Sequence, residues 1–317
     1  MAPAIATVGS LVVDLIVPIP ELPVRPFEHQ AGEALWIEPG GLGNVLVTAA
    51  RLGMQAAALG WVGDDFYGER ALALLAGEGV DVSRVERVGS SRVCLVLVDS
   101  AGRHVFLGVA GLPGPERAPQ SWRTVLRGVP WVLSDGYTLV ANPDLALEAF
   151  ALARDAGGVT TVFDPGPLIP QTRPSVMATM LRDSSIVLLT EDEAAMLVER
   201  GAPAEMARAL LARGPRLVCL KRGGQGAVVA TPADTFSQPA FPVQVRDTSG
   251  AGDAFDAAFI AGLANGLGVR QAVSLANGVG AVAVSKLGTG TRLPTREEVF
   301  AFLKTQGVRA DDLLPRA

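Results

Sequence analysis

Asp247-Thr-Ser-Gly-Ala-Gly-Asp253 runs straight into Ala254-Phe-Asp-Ala-Ala-Phe-Ile-Ala-Gly-Leu-Ala-Asn-Gly-Leu267. Phe255, Phe259 and Leu263 fall four apart, which predicts one apolar face of a helix that begins near Gly252 or Asp253. Small residues ahead of a helix start let backbone N–H groups approach an anion closely, and the helix dipole favours negative charge there. A developing phosphate or oxyanion would fit there. Asp253 would stand beside it with its carboxylate outward. An Asp at a helix start commonly only caps it. Beside an anion hole it could also accept the proton of an alcohol attacking phosphorus.

Outward from this segment, short apolar runs alternate with helical patterns. Strands are expected at Ala4–Val8, Ala56–Val62, Trp131–Ser134, Thr160–Asp164, Ile186–Thr190, Leu217–Leu220 and Ala227–Ala230. Helices are expected at about Val45–Leu52, Tyr67–Glu78, Pro143–Ala156, Glu191–Arg200 and Ala204–Arg213. This alternation predicts an α/β fold with a mainly parallel sheet covered on both faces, and most of the strands are continuously apolar as such a sheet requires. Two stretches break the rhythm. One is a proline-rich run from about Leu15 to Glu38. The other is Arg92–Val98 and His104–Val109 around a hairpin-like turn at Asp99-Ser-Ala-Gly102. They could pair into a small accessory sheet or remain surface loops.

The chain has 317 residues, a net charge of −5, 49% hydrophobic and 19% charged residues, which excludes wholesale disorder. At about 150 residues per domain, two domains or one large α/β domain are allowed. The mild acidity and lack of a basic run argue against non-specific nucleic-acid binding. The N-terminus has no basic leader, and no stretch of about 18 apolar residues would span a membrane. Cys94 and Cys219 lie in apolar runs and are expected as buried thiols, which fits a reducing, cytoplasmic setting. His29 and His104 have no second ligand type at zinc spacing. None of Lys221, Lys286 and Lys304 follows a Walker A glycine pattern, which excludes a P-loop NTPase. There is no G-x-S-x-G elbow and no protein-kinase motif set.

Four further segments could bind ligands. Pro39-Gly-Gly-Leu-Gly-Asn44 precedes a helix; Gly40 and Gly41 allow close backbone approach, and Asn44 could either hold a hydroxyl or cap the helix. Asp14, at the end of the first strand, is a turn former or a hydroxyl acceptor. Gly63-Asp-Asp65 reads as a turn before a helix. Thr190-Glu-Asp-Glu193 lies at the carboxyl end of a strand, the edge where open α/β sheets bind ligands. There Glu193 could hold a hydrated Mg²⁺ or simply favour a helix start.

As a set, these segments resemble the ribokinase-like (PfkB) carbohydrate kinases. DTSGAGDAF at 247–255 resembles the C-terminal signature of that family, and GGLGNVLVTAARLG at 40–53 the N-terminal one. VGSLVVD, VGDDFYG, FDPGP, LTEDEA and KRGGQGAVV follow in family order, so the resemblance reaches to about Pro294. It implies one domain over 1–317, a three-layer α/β/α sandwich with a small β lid built from about 14–38 and 92–110. It also implies transfer of the ATP γ-phosphoryl group to a hydroxyl of a sugar or nucleoside.

By the same resemblance, Asp253 is the general base and Gly250, Ala251 and Gly252 form the anion hole. Asp14, Gly40, Gly41 and Asn44 meet the acceptor. Thr190, Lys221, Gly223, Gly226 and Asn277 serve the nucleotide. Glu193 organises Mg²⁺ through water, and Asp247 and Ser249 flank a K⁺ site. The sequence departs from the pattern in two places. The N-terminal motif is one residue short between Gly41 and Asn44, and Thr190 replaces an Asn. Phe27, Trp36 and Phe106 could stack on a nucleoside or seal the lid, and Arg25 and Arg103 leave phosphorylated acceptors open. A catalytically weak sugar- or nucleotide-binding sensor is the alternative from another class. An exposed lid edge suggests a homodimer.

Overall fold

The computed structural model describes residues 4–111, 113–308 and 313; the outer ends of the expected 1–317 domain lie outside them. The strands are β1 (Ala4–Ser10), β2 (Val12–Ile19), β3 (Trp36–Gly40), β4 (Gln55–Val62), β5 (Glu86–Arg87), β6 (Arg92–Asp99), β7 (His104–Val109), β8 (Trp131–Asp135), β9 (Thr160–Asp164), β10 (Ile186–Thr190), β11 (Leu217–Lys221), β12 (Ala227–Ala230) and β13 (Thr235–Gln238). The helices are α1 (Leu42–Arg51), α2 (Phe66–Gly77), α3 (Gln120–Leu126), α4 (Gly136–Ala141), α5 (Pro143–Ala156), α6 (Pro174–Asp183), α7 (Glu191–Leu197), α8 (Pro203–Leu211), α9 (Ala251–Ala264), α10 (Val269–Val284) and α11 (Arg296–Thr305).

Nine strands form one sheet in the order β13-β12-β11-β10-β9-β8-β1-β4-β5. Only the β11–β12 and β12–β13 pairings are antiparallel. Strand side chains alternate between faces, and here both faces are apolar. Ile186 and Leu188 of β10 join a core with α1, α9, α10 and α11, whereas Val187 and Leu189 join another with α3, α5, α6 and α8. Leu217 and Cys219 of β11 alternate with Val218 and Leu220 in the same way. This alternation makes the three-layer α/β/α sandwich.

The two stretches that break the rhythm do pair, into a separate sheet of order β3-β2-β6-β7. It is mixed: β2 runs antiparallel to β3 but parallel to β6, and β6–β7 is a hairpin. Asp99 closes the hairpin turn by accepting from the Ala101 and Arg103 amides. Asp14 therefore does not end the first strand. β1 runs to Ser10, and Asp14 lies within β2, opposite Glu38 and Cys94. Cys94 is half-buried rather than sealed in a core, unlike Cys219. β7 is the outer edge, with Phe106, Leu107 and Val109 more than half exposed.

α1 starts three residues before the expected helix. Gly41 turns the chain with φ +50°, and Asn44 lies inside the first turn instead of capping it. α9 likewise starts at Ala251, behind a left-handed Gly250 with φ +70°.

Candidate active site

The start of α9 faces the gap between the two sheets. The Gly252 and Asp253 amides have no hydrogen-bond partner among the described residues, while the Ala251 amide reaches Thr248 O at 3.3 Å. Of the three amides expected, those of Gly250 and Gly252 are free among the described residues and that of Ala251 is engaged, and the Asp253 amide adds a donor. Asp253 is half-buried beside them, and its Oδ2 accepts from Asn44 Nδ2 at 2.7 Å. Asn44 Oδ1 accepts from the Gly290 amide at 2.7 Å, so its amide group is fixed at both ends. Burial, opposed by the Asn44 bond and helped by Asp164 and Asp135, pushes the Asp253 carboxyl up to about 7. That range suits proton exchange near neutral pH.

The small sheet brings Asp14 to the same gap. A Cβ at Gly40 would stand 2.4 Å from the Asp14 carboxyl, so glycine there lets the acid lie against β3. Thr289 Oγ1 donates to Asp14 Oδ2 at 2.8 Å. Burial pushes Asp14 up to about 7; the Thr289 bond opposes this, while Glu38 and Asp247 add to it. Glu38 accepts from both the amide and the hydroxyl of Thr291. The turn at 288–291 thereby anchors Asp14, Glu38 and Asn44 together. Behind it, Asp247 accepts from the Ser249 and Gly288 amides, and Ser249 Oγ is buried without a partner.

The third contribution comes from the carboxyl edge of the large sheet. Strand register sets Asp135 beside Asp164, and Thr190 beside Lys221. Lys221 Nζ donates to Asp164 at 2.7 Å and to Asp256 at 3.0 Å. A Cβ on Gly252 would be 3.6 Å from that same nitrogen, so the ammonium lies beside the free amides. Burial alone would lower Lys221, but Asp164 and Asp256 outweigh it and hold the ammonium charged. Burial raises Asp164, but Lys221, Asp256 and the Gly166 amide together outweigh it and keep the carboxyl below its usual range. Burial lifts Asp256 well above that range against the pull of Lys221. Burial also lifts Asp135 to about 6.

The model of the "pfkB family carbohydrate kinase" matches residues 2–296. The chain belongs to the pfkB family of carbohydrate kinases. An ATP-dependent ribose-1-phosphate kinase of Halopiger xanaduensis is 32% identical over 274 residues, covering 83% of this chain and 86% of that protein. A ribokinase of Bacillus subtilis is 30% identical over 306 residues, covering 94% and 99%. The crystal structure of a putative ribokinase II from E. coli in complex with ATP and Mg²⁺ shares the fold, with TM-score 0.80 and 22% identity over 96% and 99% of the chains.

Within this pfkB-type fold, the residues expected to serve the nucleotide divide. Lys221 is at the cleft but committed to two carboxylates. Asn277 is buried with its amide on Gln238 O and Pro239 O. Gly226 is forced by packing, since a Cβ there would meet Gln238 O at 2.0 Å; Gly223 faces open space. Thr190 and Glu193 form a reciprocal capping box, Thr190 N to Glu193 Oε2 at 2.7 Å and Glu193 N to Thr190 Oγ1 at 3.2 Å. The Thr that replaces Asn thus caps the helix through its hydroxyl, while its backbone amide holds the Glu193 carboxylate.

Among the described residues no three His, Cys, Asp or Glu side chains converge on a metal position. Glu193 keeps Oε1 without a partner, which fits a hydrated ion carried on a nucleotide rather than a protein cage. Trp36, read as able either to stack on a nucleoside or to seal the lid, is covered by the Arg292 guanidinium at 3.6 Å. No described helix is long and apolar enough to cross a membrane. Sequence reasoning missed Asp135, Asp256 and Thr289. Asp135 carries the same signal as Asp164, an acid ending an apolar strand.

Proposed function

We propose that this chain is an ATP- and Mg²⁺-dependent kinase that phosphorylates a hydroxyl of a sugar or sugar-like acceptor. The observation that carries this reading is the pairing of the Asp253 carboxylate with the free Gly252 and Asp253 amides at the start of α9. Asp253 takes the acceptor proton as the hydroxyl oxygen bonds to the γ-phosphorus and the bond to the ADP oxygen breaks. The two amides and the Lys221 ammonium bear on the charge of the phosphoryl group in transit. Asp14 and Asn44 accept and donate to acceptor hydroxyls. Mg²⁺ neutralises phosphate charge when bound, with Glu193 on its water shell. The small sheet, closing over the gap, would keep water from the phosphoryl group.

A coupled assay for ADP, run with ATP and Mg²⁺ over sugars, sugar phosphates, sugar acids and nucleosides, tests the reading. ADP release that depends on an acceptor is expected. Acceptor binding with no ADP from any member of the panel would favour a sensor instead.

The buried, unpartnered Ser249 Oγ beside Asp247 supports a monovalent-cation position in that loop. Replacing Na⁺ by K⁺ at constant ionic strength should raise kcat, and indifference to the cation would rule it out. The exposed apolar edge of β7 supports a homodimer through the small sheet. Light scattering should give twice the 32.8 kDa chain mass, and Leu107→Glu should return it to the monomer value; a monomeric parent chain would refute this.

A further inference from the structure

Arg92 opens β6 and pairs with Val12, two positions before the pairing of Asp14 with Cys94. Paired residues of neighbouring strands share a face, and so do residues two apart. Arg92 therefore lies on the face of the small sheet that carries Asp14, the face that Thr289 meets from the turn after α10. The side chain is half-buried and makes no hydrogen bond or ion pair among the described residues.

The two other arginines within residues 12–40 and 92–109 are occupied. Arg25 pairs with Glu28, and Arg103 is held by Asp99 and Leu22 O. Arg92 also faces the catalytic side, since its charge tempers the rise of the Asp135 carboxyl without an ion pair forming. Tyr137 stands in the same space, 42% exposed and within electrostatic reach of Asp135, Asp253 and Cys94. A half-buried guanidinium without a partner is costly, and its planar fork matches a carboxylate or phosphate. A neutral sugar would leave that fork largely unused.

We propose that the acceptor carries an anionic group, phosphate or carboxylate, which Arg92 binds while Asp253 meets the hydroxyl to be phosphorylated. This rests on the kinase reading above. It makes Arg92 a specificity-determining residue of the acceptor site.

The test has a kinetic arm and a binding arm. In the first, kcat/KM is measured for ribose, ribose 1-phosphate, ribose 5-phosphate and gluconate with the parent chain, Arg92→Ala and Arg92→Lys. A hydrogen-bonded charge pair corresponds to about 10–100-fold in affinity. The parent should prefer at least one anionic acceptor to ribose by that factor. Arg92→Ala should erase the preference, and Arg92→Lys should restore part of it. Whether ribose phosphates or gluconate carry the preference identifies phosphate or carboxylate as the anion.

In the second arm, calorimetric titration of the same compounds without ATP should show the same ratio. If no compound is phosphorylated, the kinase reading falls while the titrations still decide the anion. Equal affinity for ribose and every anionic compound, or an Arg92→Ala chain that keeps the preference, overturns the proposal.

Discussion

An Asp253→Asn chain should turn over about 10²–10⁴ times more slowly than its parent and bind ATP almost as tightly. Asn keeps the size of the side chain and can still accept from Asn44 Nδ2, so the amide ladder around Gly290 survives. What disappears is the proton acceptor. Because burial pushes Asp253 up to about 7, the parent chain should gain kcat/KM from pH 6 to pH 8 and level off above. Asp14 titrates in the same range, so a residual slope in the variant reports Asp14.

Stability should move the other way. A carboxyl raised from 3.8 to about 7 on folding favours the folded state below pH 4, and that contribution is lost as pH rises through 7. The Asp253→Asn chain escapes that loss. Its melting temperature should exceed the parent's by a few degrees at pH 8 and match it near pH 4, at about 2–4 °C per kcal/mol. A folded variant with near-normal kcat would remove Asp253 from the chemistry.

Lys221→Met should be the most destabilising single change in the cleft. Lys221 is 10% exposed, and its partners Asp164 and Asp256 are 17% and 2% exposed. Removing one side of a buried ion pair costs about 3–5 kcal/mol, because the remaining charges are left without compensation. At pH 8 that corresponds to a fall in melting temperature on the order of 10 °C. At pH 5 the orphaned carboxyls take up protons more readily, and the loss should shrink. A melting temperature indistinguishable from the parent's at pH 8 would show that the triad is not a structural element.

Periodicity located the large sheet because most of its strands are continuously apolar, and Thr160–Asp164, Ile186–Thr190 and Ala227–Ala230 have the bounds read from sequence. It missed α10 (Val269–Val284), which packs against α9. α11 was legible in principle: Thr295 and Glu298 form a capping box just ahead of its apolar positions.

In the candidate site, Asp253 and Asn44 were readable because each lies in a glycine-rich segment, and Asp14 because it is an acid closing an apolar run. Thr289 was not, since its role depends on the turn after α10 folding back onto β2, a contact across 275 positions. Lys221 was found through its motif, but its carboxylate partners depend on strand register, which a single sequence does not display.

Asn44 on α1 apart, the side chains proposed to recognise the acceptor sit on β2 and β6, whereas the proposed proton acceptor and phosphate-binding groups sit on α9 and the carboxyl edge of the large sheet. The two groups touch through residues 288–292 and through Thr248. Divergence can therefore act on them separately. A descendant of this chain could acquire a new diet by exchanging residues such as Arg92 or Cys94 and inherit its reaction machinery intact.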